Sequence, residues 1–268
     1  MNLYSLTPLD LGIAAALVIA LGILQLALGL GVTRSLYWAA TRMVLQLLLV
    51  GLVLELLFEH ANLYWVLVMM GVMVLLAGHE VAARQGRRFR GVWGYGVGLA
   101  SLSMTALFVT LLALWAMVGV EPWYAPQYAV PLLGMILGNA MSGVAVGLNH
   151  LTQTAWRERV TLEARLMLGQ TWPEATAGLR RESIRAGMIP TINVLAAAGI
   201  ISLPGMMTGQ ILAGTPPIEA VKYQILIMFL IAAATGFGTL IAIELGTRRL
   251  FDERERLRLE RLRTQSGR

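Results

Sequence analysis

Residues 11–30 read LGIAAALVIALGILQLALGL, an uncharged apolar run long enough to cross a lipid bilayer as a helix. Such a helix needs about 20 apolar residues, because each residue adds about 1.5 Å along an axis that must span about 30 Å of hydrocarbon. The rest of the chain has the same character, since 57% of its 268 residues are hydrophobic and only 13% are charged. Water-soluble domains carry about 25% charged residues. The sequence therefore predicts an all-α protein that crosses a membrane several times.

Six further apolar runs are candidates for spans. Four of them resemble the first in length, and two have only 16 residues and would need local thinning of the bilayer. The prediction is thus a polytopic membrane protein with about seven transmembrane helices. The long runs cover residues 63–83, 92–118, 128–148 and 223–243, and the short runs cover residues 43–58 and 188–203.

The basic residues favour seven crossings with the N-terminus outside and the C-terminus in the cytoplasm. Lys and Arg in short loops are retained on the cytoplasmic side. In this topology 20 of the 21 Lys and Arg residues lie inside, and only Lys222 lies outside. If either short run were re-entrant, at least one Arg-rich segment would move to the wrong face. The membrane also accounts for the net charge of +6, so no nucleic-acid partner is expected.

The organisation predicted is one membrane domain over residues 1–268 with two cytoplasmic attachments. The first is a polar hairpin at residues 151–187, and the second is a basic tail at residues 244–268. Opposite charges in the tail recur four residues apart, at Asp252, Arg256 and Glu260. This spacing predicts a solvated helix. The neighbouring anionic headgroups favour a position near the membrane surface.

Missing residues exclude several functions. Without cysteine there is no disulfide, zinc–thiolate site, iron–sulfur cluster or cysteine nucleophile. A phosphate-binding P-loop needs Lys followed by Ser or Thr, but the only lysine, Lys222, precedes Tyr223. His60, His79 and His150 are isolated, which does not favour a metal site, and no nucleophile and base occur together, so no catalytic residue is predicted. No carboxylate lies near a span midpoint, so we expect another chain to drive any transport.

The hairpin has the pattern of two helices joined by a tight turn. Its first half ends at Gly169, a residue suited to the left-handed position that follows a helix. Thr171 is then a candidate N-cap, Pro173 lies in the first turn, and Glu174 completes a capping box. A rigid, exposed turn of this kind is suited to transmit the movement of a soluble motor protein to the membrane helices. A hairpin that packs on the inner membrane surface is an equal alternative on this pattern alone.

Residues 160–175, VTLEARLMLGQTWPEA, resemble the coupling loop of ABC-transporter permeases. Glu163, Ala164 and Gly169 are similar to the EAA-and-glycine signature of importers, but the later Ile-x-Leu-Pro part is missing, which argues against an ordinary importer. Over nearly its whole length the chain resembles the FetB-type family of iron-export ABC permeases, which is related to plant aluminium-tolerance permeases. The matching stretches are RMVLQLLLVG at 42–51, PLLGMILGNAM at 131–141, RESIRAGMIPTIN at 181–193, LPGMMTGQILAG at 203–214 and KYQI at 222–225.

The resemblance implies a permease that forms a homodimer in the bacterial inner membrane and pairs with a separate ATP-binding subunit. ATP and Mg would be used by that subunit, so no cofactor is expected on this chain. Glu163, Ala164 and Gly169, together with Thr171 and Glu174, would couple the two subunits. The implied cargo is iron, another metal or a metal chelate, while nucleotide-sugar export is attached to plant relatives. The alternative from a different class is an ATP-independent cation channel or facilitator.

Two groups of residues are candidates for a substrate path. One lies beside the small residues at positions 134, 138, 142, 143 and 147, which favour a helix-packing seam over a pore lining. The other follows the sixth span, where Pro204, Gly205 and Gly209 are expected to break the helix and form an outer gate or a plain outer loop. Methionine thioethers favour Cu(I), so they do not define an iron site, and metal ligands stay unassigned. The path residues are Met135, Asn139, Met141, Met206, Met207 and Gln210.

Overall fold

The structure is a computed structural model that describes residues 7–59, 62–119 and 121–264. It divides into two compact units. The first unit contains the helices α1 (Pro8–Ala27) and α2 (Thr33–Glu59), together with residues 212–214. The second contains the elements from residue 63 to 211 and from residue 215 onward. The single membrane domain over residues 1–268 stays a prediction.

In the first unit, two side chains of α2 donate hydrogen bonds to backbone carbonyls of α1. The Tyr37 hydroxyl donates to the Ile19 carbonyl at 2.9 Å, and the Thr33 hydroxyl donates to the Gly22 carbonyl at 3.4 Å. Gly22 allows this approach because a β-carbon there would overlap the Tyr37 ring. Most large apolar side chains of the two helices are exposed. Such a surface is stable only against lipid or another protein.

The second unit is almost entirely helical. Two π-helical turns, at Ser103–Leu107 and Leu114–Val118, continue α4 and α5 into one rod that follows the predicted span at residues 92–118. The last residue of α10 belongs to the first unit. The elements are α3 (Leu63–Ala83), β1 (Arg87–Phe89), α4 (Trp93–Leu102), α5 (Phe108–Ala113), α6 (Pro126–Arg157), α7 (Arg159–Met167), α8 (Trp172–Ala175), α9 (Ala177–Ala197), α10 (Gly205–Leu212), α11 (Pro217–Leu250), a 3-10 turn (Leu259–Arg261) and β2 (Leu262–Thr264).

Within the described residues, six helical segments are long and apolar enough to cross a membrane. They are α1, α2, α3, the rod at residues 93–117, α6 and α11. These segments confirm an all-α polytopic membrane protein. The remaining candidate, residues 188–203, differs from its prediction, since α9 begins at Ala177 and ends at Ala197. The chain leaves the helix because Ala198 is extended and Gly199 has a φ of 85°.

The strand pairing bears on the number of crossings. β1 follows α3 and β2 follows α11, and the strands pair antiparallel with Phe89 opposite Leu262. Because they are hydrogen-bonded neighbours, they lie on the same side of the membrane, and an even number of crossings must separate them. If the rod at residues 93–117, α6 and α11 each cross the membrane, they account for three. This parity favours α9 as the fourth, although the number of spans and their orientation stay predictions.

The core of the second unit includes a close approach of α6, α9 and α11. A β-carbon at Gly187 would lie 2.7 Å from the Gly143 carbonyl oxygen and 2.7 Å from Cγ2 of Thr239. A β-carbon at Gly147 would lie 3.1 Å from the same methyl group. At Gly143 and Gly147, the small-residue face of α6 therefore packs against α9 and α11, and the sequence favours such a packing seam. Gly138 differs, because a β-carbon there would meet nothing within 4 Å.

The basic tail is not the predicted helix. After α11 ends at Leu250, Oδ1 of Asp252 accepts hydrogen bonds from the backbone N–H groups of Arg254, at 3.0 Å, and Arg256, at 2.9 Å. These bonds form a turn in which Glu255 has a φ of 57°. The helical prediction is wrong because a local aspartate competes with the helix for backbone N–H groups. The expected ion pair between Asp252 and Arg256 does form, at 2.9 Å, but within this turn.

Candidate coupling site

The turn between α7 and α8 has the backbone geometry that the sequence predicts. Gly169 has a φ of 87°, in the left-handed region that favours glycine. Its N–H donates to the Leu166 carbonyl at 3.0 Å, and the N–H of Gln170 donates to the Arg165 carbonyl at 3.2 Å. Together these bonds form a Schellman motif. They satisfy the last carbonyls of α7 and fix the direction in which the chain leaves it.

The predicted capping box is present at the start of α8. Oε2 of Glu174 accepts hydrogen bonds from the backbone N–H of Thr171, at 2.8 Å, and from its hydroxyl, at 2.9 Å. These bonds, the backbone one foremost, lower the pKa of the Glu174 carboxyl from its ordinary value. The Arg165 guanidinium also donates to the Ala175 carbonyl at 3.1 Å, joining α7 to α8. Hydrogen bonds therefore fix the turn at the end of α7 and at the start of α8.

Apolar side chains project from the hairpin near its turn. Met167 and Leu168 are each 84% exposed, and Val160, at the opposite end of α7, is 70% exposed. Glu163 is exposed as well, while Ala164 is half-buried. The structure thus brings the predicted coupling residues together on one short hairpin with an apolar tip. Such a surface is typical of a contact with another protein or a membrane.

The C-terminal tail braces the hairpin through Trp172. The backbone N–H of Trp172 donates to Oε2 of Glu255 at 3.1 Å, and its ring stacks on Phe251 with ring centroids 6.0 Å apart. The Arg180 guanidinium lies 6.0 Å from the Trp172 ring centroid and 3.5 Å from the Glu244 carboxylate. We call the contacts of Phe251 and Glu255 with Trp172 the tail brace. They connect the hairpin to the segment that follows α11.

Asp252 stabilises the tail that provides this brace. Besides its bonds to the turn, its carboxylate lies 3.0 Å from Nε of Arg258, and its side chain is only 13% exposed. The backbone N–H of Arg256 is the main cause that holds the pKa of Asp252 well below its usual range. Glu260 does not pair with Arg256 as the sequence predicts. It lies 3.2 Å from the Arg258 guanidinium instead.

Phe251 and Glu255 were not predicted from the sequence. The hydrogen bond of Glu255 spans 83 positions, so no local spacing indicates it. The available signal was Asp252, which stands two residues after α11 and is a frequent turn former. If Asp252 is taken to form a turn instead of continuing a helix, the sequence predicts that the tail folds back.

The first group of path residues lies on α6. Met135, Asn139 and Met141 are all half-buried. Nδ2 of Asn139 donates to the Met135 carbonyl at 2.8 Å, so the side chain caps a carbonyl of its own helix. Oγ of Ser142 likewise donates to the Gly138 carbonyl at 3.1 Å. The role of these residues in a path stays a prediction.

The second group of path residues lies on α10. The sequence predicts a helix break at Pro204 and Gly209. Pro204 does precede α10, but the prediction is wrong for Gly209, which lies inside α10. Glycine in place of alanine inside a helix lowers its stability by about 1 kcal/mol. A helix tolerates this loss at a single position. Met206, Met207 and Gln210 are therefore helical, and Oε1 of Gln210 is buried without a hydrogen-bond partner. In the described part of the chain, no hydrogen bond joins these three residues to the group on α6.

The histidines give no indication of a metal centre. Over the residues that the structure describes, no group of three or more His, Asp or Glu side chains could hold a metal ion. Nδ1 of His150 lies 3.1 Å from the Ser183 hydroxyl, which in turn donates to the Leu179 carbonyl. His79 is exposed at the end of α3. His60 lies outside the described residues.

Comparison with known proteins identifies similar membrane proteins. The model of a family described as "Uncharacterised protein family (UPF0014)" matches residues 8–251. The UPF0014 membrane protein slr1647 of Synechocystis sp. is 37% identical over 231 residues, which are 85% of this chain and 88% of the relative. The probable iron export permease protein FetB of Escherichia coli is 32% identical over 257 residues, covering 96% and 97%. Protein ALUMINUM SENSITIVE 3 of Arabidopsis thaliana is 33% identical over 225 residues, covering 83% and 80%. No solved structure matches the chain.

Proposed function

From the premise that the chain belongs to the UPF0014 family, which includes FetB-type permeases, we propose that it is the membrane subunit of an ATP-driven ABC exporter. It is a multi-pass protein of the bacterial inner membrane and a transport subunit of permease type. The ATP would be hydrolysed on a separate ATP-binding subunit, with Mg as that subunit's cofactor. Two copies of the permease would pair with two copies of the ATP-binding subunit.

The rigid hairpin is the observation that carries this proposal. A flexible loop would absorb a displacement from a soluble motor, whereas a stiff turn passes it to the attached helices. The Schellman motif at Gly169 and the capping box at Thr171 fix the turn, and the tail brace at Trp172 supports it from the other side. The exposed Met167 and Leu168 supply an apolar surface for the partner.

Glu163 and Ala164 would complete the contact with the ATP-binding subunit. Glu163 is solvent-accessible on α7, one helical turn before Met167, so both side chains lie on one face. The charge of Glu163 would orient the partner, while the apolar tip would supply most of the binding energy. This division of roles is the reason to expect coupling rather than simple attachment to the membrane surface.

The proposed cargo is iron, another metal ion or a metal chelate. The name of the Escherichia coli relative, "Probable iron export permease protein FetB", supports this choice. Thioethers of methionine favour Cu(I), and the described residues contain no cluster of His and carboxylate ligands. Both observations support weak, transient contacts with a hydrated or chelated ion. Met135, Asn139 and Met141 on α6, and Met206, Met207 and Gln210 on α10, are the proposed path.

Reconstitution tests the proposal. The chain would be placed in proteoliposomes with and without a stand-alone ATP-binding protein from the same host, and Fe(II) movement would be measured with and without ATP. We expect transport only when the permease, the ATP-binding protein and ATP are all present. Flux through the permease alone would instead indicate an ATP-independent channel. Failure of every ATP-binding protein of the host to bind the chain would overturn the proposal.

A further inference from the structure

A second basic feature lies where α3 ends and α4 begins, and the coupling hairpin does not use it. A cleft of about 700 Å³ opens between α3, the start of α4 and the ribbon formed by β1 and β2. We call it the ribbon cleft. Arg88 and Arg90 line it from β1 and the residue after it, Arg263 from β2, His79 from α3 and Tyr95 from α4. Among the described residues that line it, none is Asp or Glu.

Within residues 62–119 and 121–264, no carboxylate pairs with the arginines of the ribbon cleft. Arg88 and Arg263 are register partners in the ribbon, and like charges directly opposite each other destabilise a strand pair. In the part of the chain that the structure describes, neither guanidinium has an ion pair with a carboxylate. The neighbouring cleft at the end of α11 is different, because Asp252 pairs there with Arg256. An anion from outside the chain would relieve the repulsion in the ribbon cleft.

The ribbon cleft also adjoins an apolar helix face. Val72 and Leu76 precede His79 by seven and three residues, so the three side chains share one face of α3. Val72 is 44% exposed and Leu76 is 59% exposed. At the start of α4, the Trp93 ring lies 4.7 Å below the Arg249 guanidinium. Tryptophan at the end of a span is typical of the boundary between hydrocarbon and headgroups. Trp93 lines the neighbouring cleft, so its position favours headgroup depth for the ribbon cleft as well, with apolar surface leading away from it.

We propose that the ribbon cleft binds the headgroup of an anionic phospholipid. The phosphate lies between Arg88 and Arg263, where guanidinium groups offer paired N–H donors. The acyl chains follow the face of α3 at Val72 and Leu76. A free phosphate would use the arginines but would leave the apolar face without a function. Bound lipid holds β2 against β1, and thus fixes the tail to the start of α4.

The test compares lipid retention by the full chain and two charge variants. Each protein is assembled in nanodiscs of phosphatidylcholine and phosphatidylglycerol, extracted in mild detergent and analysed by native mass spectrometry. The cleft variant is R88Q/R263Q. The matched control is R181Q/R185Q, which removes two exposed arginines from α9 outside the cleft. Thermal unfolding with and without added phosphatidylglycerol is the second measurement, and it does not depend on transport.

We expect the wild-type chain and the control to retain phosphatidylglycerol and to unfold at a higher temperature when it is added. The cleft variant should retain about tenfold less and should lose the temperature shift. It should still fold in detergent, because removing two opposed charges relieves the ribbon. Equal loss in the control, equal retention of phosphatidylcholine, or full displacement by millimolar inorganic phosphate would overturn the proposal. The last outcome would identify free phosphate as the ligand.

Discussion

The backbone N–H of Trp172 donates a hydrogen bond to Oε2 of Glu255 at 3.1 Å. This bond joins the first residue of α8 to the tail after α11. The same tail continues into β2, which pairs with β1 just before α4. If the hairpin moves, these contacts connect it to the segment between α3 and α4, and α9 provides the other connection. The tail brace gives the hairpin a second mechanical connection to the membrane helices.

Replacing Glu255 tests this connection. We expect E255A to lower the ATP-dependent export rate while leaving membrane insertion unchanged, because Trp172 loses its acceptor. E255Q should retain most activity, since an amide oxygen still accepts the hydrogen bond. Export is measured in proteoliposomes with the ATP-binding subunit, and backbone hydrogen exchange reports the loosening at residues 169–176.

The control for this experiment is E253A. Glu253 is exposed, carries the same charge and makes no described hydrogen bond or ion pair. Its removal should change neither export nor hydrogen exchange. If E253A and E255A had equal effects, the tail would act through its charge and the specific bond to Trp172 would have no role.

Gly169 provides a conformational test of the hairpin. A β-branched residue in the left-handed region costs about 1–2 kcal/mol, so G169V should distort the turn at its φ of 87°. We expect ATP hydrolysis to continue while export falls, which the ratio of phosphate released to Fe(II) moved would reveal. G169N should preserve most of the coupling, because asparagine adopts this conformation more readily. Normal coupling in G169V would remove the turn from the mechanism.

We expect the contribution of Asp252 to the order of the tail to be independent of pH over the physiological range. Because its pKa is lowered in the folded chain, the stabilisation it provides is fully present above its ordinary value of 3.8. It is lost only as the pH falls through the lower folded value. Trypsin should therefore cleave the tail at the same low rate at about pH 6.5 and at about pH 8. Cleavage of an unstructured peptide at each pH corrects for the pH dependence of trypsin itself.

The variant D252N tests the same network at constant pH. Its amide can still accept from a backbone N–H, but it loses the ion pairs with Arg256 and Arg258. We expect faster cleavage in the tail at both pH values, measured by mass spectrometry of the fragments. A cleavage rate in D252N equal to that of the wild-type chain would show that the carboxylate charge does not order the tail.

The elements that sequence predicts well are those whose signal is local. A run of 20 apolar residues defines α1, and Thr171 with Glu174 defines the start of α8, because both depend on residues within a few helical turns. The capping box is the clearest example, since the hydrogen bonds connect residues three positions apart. Local chemistry alone was sufficient there.

The elements that sequence did not predict depend on distant contacts. The pairing of β1 with β2 and the contact of Trp172 with Glu255 join segments more than 80 residues apart. The tail was also ambiguous, because charges four residues apart support a helix while Asp252 supports a turn. Burial of Phe251 and Leu262, at 5% and 4% exposure, decides in favour of the folded-back tail. Only the packed structure contains that information.

The close approach of α6, α9 and α11 predicts which glycines of α9 are required. We expect G187A to lower the unfolding free energy by about 1–3 kcal/mol, because its methyl group would press on the Gly143 carbonyl and on Thr239. The matched control is G178A on the same helix, where a β-carbon meets nothing within 4 Å. Alanine there should be neutral or stabilising by helix propensity. Thermal unfolding in detergent measures both, and equal effects would contradict the packing seam.

The side of the membrane on which each loop lies is the last prediction, and the absence of native cysteine makes it directly measurable. Single cysteines are introduced in place of Ile200, Lys222 and Glu253, which are all exposed, and intact cells are treated with a membrane-impermeant maleimide. If α9 crosses the membrane, I200C and K222C react from outside, whereas E253C reacts only after permeabilisation.

Ile200 is the decisive position because it follows the end of α9 at Ala197. Without a crossing by α9, I200C would lie on the side of the hairpin, and the tail would have to lie on the opposite side. That arrangement separates β2 from β1 and Glu255 from Trp172, although both pairs are hydrogen-bonded in the structure. Protection of I200C together with labelling of E253C in intact cells would therefore contradict both the seven-span topology and the tail brace.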